Sequence, residues 1–321
     1  MEPSDQLNFI YFNKARTALK YGLTSLGLKE GDEILVPDFI CDSIFQPIIQ
    51  NSLVFQTYAL MDNLEPDWAS IGELLTHKTK GILMVHYFGQ PQDVNKFITF
   101  AETNKLFLIE DNAHGHGGLI GEKVLGSFGD IGISSPRKFL NISDGGKLYF
   151  KQKNNYLANL SIDYAPLEPK PLHLGKYLNK FPKIKNKLRM YIKKRPNYEN
   201  PLEFKESFVE DLLISKDVVT EIESLDWKGI ASKRREKFKH FRDLALEKGL
   251  QPVFEEPYIQ SNPWCFAAYT SSETESAYWF DWGWRNNISI FSWPTLRKEQ
   301  INKGNAAFKR WKRLICFSTS A

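Results

Sequence analysis

Along the first 150 residues, short apolar runs alternate with stretches whose apolar positions recur at helical spacing. Residues 14–26 predict a helix: Ala15, Ala18, Leu19 and Leu23 fall on one face, and Gly27 stands at a C-cap position. Residues 33–39 (E-I-L-V-P-D-F) read as a strand, followed by an apolar helix around 44–49 and a strand at 54–59. The run 81–88 (G-I-L-M-V-H-Y-F) predicts a strand, 93–104 a helix and 106–110 another strand. Residues 131–134 and 147–150 add two shorter strands. Strands separated by helices of this length imply right-handed crossovers and a parallel sheet.

The pattern changes after about residue 165. Residues 170–195 hold ten basic side chains and no acidic one, interrupted by Pro171 and Pro182 and bounded by Pro169 and Pro196. That stretch suits a nucleotide diphosphate, an anionic membrane surface or a plain solvated face. Residues 218–248 predict one or two charged amphipathic helices, and the chain is expected to end in short Trp-rich strands and a helix around 299–313. The expected fold class is therefore α/β. A large domain at 1–205, with a mostly parallel sheet flanked by helices, precedes a smaller α+β domain at 206–321.

Composition narrows the class without naming a function. With 321 residues, 42% hydrophobic and 25% charged, the chain suits an ordinary globular protein with a sizeable core. A net charge of +4 is too small to argue for nucleic acid. Cys41, Cys265 and Cys316 are odd in number and far apart, against a paired disulfide framework and in favour of a reducing compartment. The start M-E-P-S-D-Q is not that of a secretory leader, and no apolar run reaches the roughly 18 residues of a membrane span. A cytoplasmic location without a membrane span is the expectation.

The chemistry concentrates between residues 106 and 146. The run L-F-L-I-E-D ends on Asp111, as expected of a buried parallel strand presenting a carboxylate at the sheet's C-terminal edge. Lys138 follows 27 residues later in a short polar segment, S-S-P-R-K. A strand-end Asp and one such Lys are what an enzyme using pyridoxal 5'-phosphate needs. The carboxylate keeps the pyridine nitrogen protonated, and the amine forms the Schiff base. Arg137 cannot replace Lys138, because a guanidinium stays protonated.

Four ordered motifs carry a resemblance: A-R-T-A-L-K-Y-G-L-T-S-L-G-L-K-E-G-D-E-I-L-V-P-D-F, M-V-H-Y-F-G-Q-P, I-E-D-N-A-H-G-H-G-G and G-S-F-G-D-I. Weaker matches follow at K-R-R-E-K-F-K-H-F and I-S-I-F-S-W-P. On these the chain resembles the DegT, DnrJ, EryC1 and StrS family of sugar aminotransferases, of fold type I among pyridoxal-phosphate enzymes. The resemblance implies Lys138 as the Schiff-base lysine, Asp111 as the partner of the pyridine nitrogen and Ser135, with Ser134 second, as a phosphate ligand. Ala15, Arg16 and Thr17, after Lys14, match the phosphate-binding helix start, where the family often has Ser-Gly-Thr or Ser-Gly-Arg. His114 stands where the family usually has a Gln bonding the cofactor's ring oxygen, and His86 at its strand end is expected to point to the same pocket. The family's ring-stacking position falls near Cys41, leaving Phe39 or His86 to cover the ring. No counterpart of the family's Asn-Tyr-Arg segment, which reaches the partner subunit's phosphate, stands between 165 and 215.

The resemblance further implies a homodimer acting on a nucleotide-linked keto-sugar, with glutamate as amino donor. A sugar dehydratase is the second enzyme reading, although relatives of that kind carry histidine in place of the lysine. A silent relative that binds a ligand without turnover is the third. G-H-G-G-L-I-G is a weak dinucleotide-turn signal, because no convincing helix follows it. Asp111, His114 and His116 lack a fourth ligand for a metal, and none is expected.

Overall fold

In a computed structural model, the structure describes residues 7–140, 142, 144–151, 154–166, 190, 192–206 and 210–320. The predicted strands appear as β2 (Glu33–Pro37), β3 (Val54–Tyr58), β4 (Thr79–Val85) and β5 (Phe107–Asn112), preceded by β1 (Asn8–Phe12). The two-residue strands β6 (Leu119–Ile120) and β7 (Lys123–Val124) form a hairpin before β8 (Ile131–Ser134) and β9 (Gly146–Phe150). Seven strands make one sheet in the order β1-β9-β8-β5-β4-β2-β3. β8, β5, β4, β2 and β3 run parallel, while β9 is antiparallel to β8 and to β1. The parallel strands carry continuous apolar stretches because helices cover both faces. β1 was not anticipated from the sequence pattern; it pairs along the edge of β9.

Helix α1 (Ala15–Ser25) buries Ala18, Leu19, Gly22 and Leu23 on the sheet. A Cβ on Gly22 would lie 2.8 Å from Leu148 Cδ1 and 2.9 Å from Ile131 Cδ1, so a larger residue here would make those side-chain ends shift. Register then brings the C-terminal ends of the parallel strands together. Val85 pairs with Asp111, and Asp111 with Ile133, one residue before Ser134. Ligand sites of open α/β sheets form at such an edge.

The second sheet is antiparallel: β10 (Gln251–Pro252), β11 (Cys265–Tyr269), β12 (Ile290–Phe291) and β13 (Leu314–Ser318), in the order β10-β11-β13-β12. Its own core joins Phe266, Ile315 and Phe317 to Phe238 of helix Trp227–Glu247 and to Trp279 and Phe280 of helix Glu273–Asn286. Trp279, Trp282 and Trp284 therefore belong to a helix, correcting the expected Trp-rich strands. The Ser272 side chain accepts from the Glu275 N–H, and Glu273 and Glu275 lie in the first turn, a strong helix start. The last helix spans only Ala306–Arg313, where Asn305 caps it, and the chain continues into β13.

Residues just past 205 still pack on the first sheet. Asn13 N–H donates to the Leu212 carbonyl at 2.8 Å, and Ile222 of helix Lys216–Glu223 shares a core with Tyr11 and Ile214. Most of the basic stretch 170–195 lies outside the described residues. Among the described residues no helix is long and apolar enough to cross a membrane.

Candidate active site

Successive residues of a strand face opposite sides, and β5 ends on two carboxylates. Glu110 is fully buried: Oε1 accepts from Gly126 N–H and meets His86 Nε2 at 2.7 Å, while Oε2 accepts from Phe128 and Gly129 N–H. Asp111, 6% exposed, turns to a cavity and accepts from the Ala113 N–H at 2.8 Å through Oδ1. Burial raises the Asp111 pKa, opposed by that N–H and by Lys138.

The cavity measures about 1020 Å³ and is lined by Ala15, Arg16, Asp111, His114, Ser135 and Lys138 among others. Its size suits a cofactor with a substrate beside it. Lys138 ends a tight 3-10 turn, Pro136–Lys138, in which its N–H donates to the Ser135 carbonyl at 3.1 Å. Its amine reaches inward to lie 4.8 Å from the centre of the Trp264 ring. Burial depresses the Lys138 pKa, with Arg137 adding to the effect and Cys41 and Asp111 opposing it. A depressed lysine holds more free amine near neutrality, the form that attacks an aldehyde.

The start of α1 forms the adjacent wall. Its N-cap residue, Lys14, supplies no side-chain cap, and its first turn carries no acidic residue. Lys14 instead pairs with Asp144 at 3.1 Å. Gly146 lies under this turn, where any Cβ would sit 2.2 Å from the Lys14 carbonyl carbon. The glycine lets β9 hold the helix start at the sheet edge, where backbone N–H groups and the helix dipole favour an anion. Ser135 is 1% exposed, with its hydroxyl only 3.4 Å from the Gly145 carbonyl, a weak bond.

His114 is 4% exposed, and its Nδ1 accepts from the Phe88 N–H at 3.3 Å, so the hydrogen of the neutral ring is on Nε2. Burial, and then Lys138, hold its pKa well below the ordinary histidine value. The imidazole stacks on Trp264 at 4.5 Å and meets Trp293 edge-on at 4.8 Å. Trp264 is fastened to the first sheet's side, because its N–H donates to the Phe88 carbonyl at 3.0 Å. Phe88 itself adopts the left-handed region (φ 56°), costly for a bulky residue and held by its bonds to Trp264 and His114.

Two expected residues turn elsewhere. His86 does not line the cavity: Nε2 meets Glu110, and Nδ1 accepts from the Gln92 N–H at 3.1 Å, so both ring nitrogens are engaged in the interior. Thr17 is 2% exposed and donates to Asn13 Oδ1 at 3.0 Å, also away from the cavity. Ser134 bonds His116 Nδ1 at 2.8 Å, and His116 packs on Trp227, so His116 stands apart from Asp111 and His114. Among the described residues no group of His, Cys, Asp or Glu is arranged to hold a metal ion. Cys41 does line the cavity, whereas Phe39, fully buried, does not. Trp264, Trp293 and Glu206 are among the cavity residues not anticipated from the sequence. Trp293 carried a faint signal in I-S-I-F-S-W-P; Trp264 and Glu206 carried none.

Residues 5–161 match the DegT/DnrJ/EryC1/StrS aminotransferase family. The chain is 32% identical over 145 residues to GDP-perosamine synthase of Escherichia coli O157:H7, covering 43% of this chain and 39% of that protein. It is 34% identical over 136 residues to UDP-N-acetyl-3-dehydro-alpha-D-glucosamine 3-aminotransferase of Acidithiobacillus ferrooxidans, covering 40% and 36%. The chain thus spans less than half the length of these curated relatives. Among solved structures it is similar to the Escherichia coli GDP-4-keto-6-deoxy-D-mannose-3-dehydratase with bound hydrated PLP. The TM-score is 0.68 at 18% identity, over 97% of this chain and 82% of that one. At that identity the likeness establishes the fold alone.

Proposed function

We propose that this protein is a member of that family and a pyridoxal-phosphate-dependent aminotransferase that moves an amino group from glutamate to the ketone of a nucleotide-linked sugar. The reading includes a role in amino-sugar or cell-surface polysaccharide biosynthesis, as a cytoplasmic homodimer. One observation carries it: Lys138, with a depressed amine, and Asp111, a buried strand-end carboxylate, line the same cavity. The surrounding donor set fits the cofactor. There is an anion seat at the α1 start, a buried Arg137 Nε with no partner, and a neutral His114 with one N–H to give.

When bound, the cofactor supplies an aldehyde that captures amines and an electron-poor ring that takes up the electrons of a broken Cα–H bond. Lys138 would hold that aldehyde and, as a free amine, would be the group placed to move the proton of the donor's Cα. The Asp111 carboxylate would keep a proton on the ring nitrogen, and His114 Nε2–H would donate to the ring oxygen. Ala15, Arg16 and Ser135 would hold the phosphate. Trp264 and Trp293 keep water from the amine and strengthen every charge interaction inside.

The test is to titrate the protein with pyridoxal phosphate, fix the product with borohydride and locate it by mass spectrometry. An adduct at Lys138 and amination in a panel of nucleotide keto-sugars with glutamate are expected. Absence of an adduct at Lys138 overturns the reading. A product that has lost water without gaining nitrogen assigns dehydration instead, and an adduct without turnover assigns a silent relative.

A further inference from the structure

The wall of the cavity already holds an anion, and it belongs to the chain itself. Arg16 Nη1 lies 3.0 Å from Glu206 Oε2, while Arg137 Nη2 bonds the other oxygen, Oε1. The three residues all line the cavity beside Lys138 and Ser135. Burial raises the Glu206 pKa, but Arg137, Arg16 and Lys138 outweigh it and hold the carboxyl below its usual range. It is therefore an anion at neutral pH.

Arg137, Arg16 and Lys138 all act on this one carboxylate. Arg137 Nε is buried and makes no hydrogen bond, so a donor is left over. A planar carboxylate offers two oxygens; a phosphate monoester dianion offers three and a second negative charge, so it can engage the donor that the carboxylate leaves over. Glu206 is 40% exposed, and it can leave toward solvent without opening the core.

We infer that Glu206 is an internal occupant of the Arg16–Arg137 oxyanion seat, a tethered carboxylate that a phosphate monoester dianion displaces on binding. The inference deepens the proposed function and rests on it in taking that monoester to be the cofactor's phosphate. Glu206 is then a competitor that sets how tightly the protein holds its cofactor, and its removal improves binding rather than weakening it. A purely structural salt bridge makes the opposite prediction, because losing it loosens Arg16 and Arg137.

The experiment compares wild-type protein, Glu206→Gln and Glu206→Asp by calorimetric titration with inorganic phosphate, pyridoxal phosphate, pyridoxal and glutarate. Glutamine keeps the size of the side chain and removes its charge; a denaturant melt confirms that each variant is folded. Glu206→Gln is expected to bind phosphate and pyridoxal phosphate on the order of tenfold more tightly. Pyridoxal, which lacks the phosphate, is expected to be unchanged, and Glu206→Asp to stay near wild type. Unchanged or weaker phosphate binding in folded Glu206→Gln overturns the inference. So does tightening confined to glutarate, which assigns the seat to a carboxylate ligand such as an amino donor. If phosphate tightens but pyridoxal phosphate forms no adduct at Lys138, the seat stands and the functional reading fails. If the adduct forms but Glu206→Gln leaves phosphate binding unchanged, the functional reading stands and this inference fails.

Discussion

Glu110 and Asp111 are adjacent in one strand, both almost fully buried, and they belong to regions of opposite kind. On one side, Glu110 takes three backbone N–H groups and His86, and His86 in turn takes a backbone N–H from Gln92. On the other, Asp111 faces a cavity holding a desolvated amine and a neutral imidazole. The first region has its hydrogen bonds filled by the fold, which leaves nothing for a ligand. The second holds groups whose ordinary ionisation is disfavoured, the condition found where chemistry is done. Burial of a titratable group does not mark a functional site; what else bonds to it does.

Substitutions on the two sides sharpen this contrast. Lys138→Met is expected to remove the borohydride-fixable adduct and lower amination by on the order of 10³-fold, read by steady-state assay. Its melting temperature is expected to hold or rise, because an amine with a depressed pKa costs stability when charged. Glu110→Ala is expected to do the reverse, losing about 3–5 kcal/mol in a urea melt because His86 and the turn's N–H groups are stranded. Where it folds, the adduct at Lys138 still forms. Equal effects of the two substitutions on adduct and stability would erase the distinction.

A smaller effect concerns pH. Burial, then Lys147, lowers the His116 pKa to about 3, so the folded ring stays neutral while the unfolded one takes a proton near pH 6.5. The unfolded state binds more protons, and the stability from this residue is whole above about pH 6.5 and is lost as pH falls toward 3. In His116→Gln the slope of stability against pH between 6 and 4 is expected to flatten by about 1.4 kcal/mol per unit. An unchanged slope shows that His116 does not carry it. The smallest effect is the stacking of His114 on Trp264. A double-mutant cycle with His114→Ala and Trp264→Ala is expected to give a coupling of about 0.5–1.5 kcal/mol in stability, and a value near zero removes Trp264 as the imidazole's support.

The legible part of the site is the part tied to local pattern. Asp111 was readable because an apolar run ended on a carboxylate, and Lys138 because a short polar segment followed at family spacing. The first sheet was readable for the same reason, strand by strand, apart from β1. His86 and Thr17 were misread because a position at a strand end or helix start does not say which way its side chain turns. For each, a partner distant from the cavity decided: Glu110 for His86 and Asn13 for Thr17. The late tryptophans were misread as strands because their helix depends on the Ser272 cap and on packing against β13.

The chain's own pattern determined the parallel sheet, the strand-end Asp111 and the short polar segment that carries Lys138. These follow from the preference of apolar runs for buried strands and from covalent spacing, both local. Tertiary structure alone decided that Trp264 and Trp293 wall the cavity, that His114 is the neutral ring between Phe88 and Trp264, and that Glu206 sits between Arg16 and Arg137. Those contacts join residues more than 100 positions apart, apart from Phe88 with His114 and Glu206 with Arg137. Closing such distances depends on the summed packing of two cores, and no local run of residues records it.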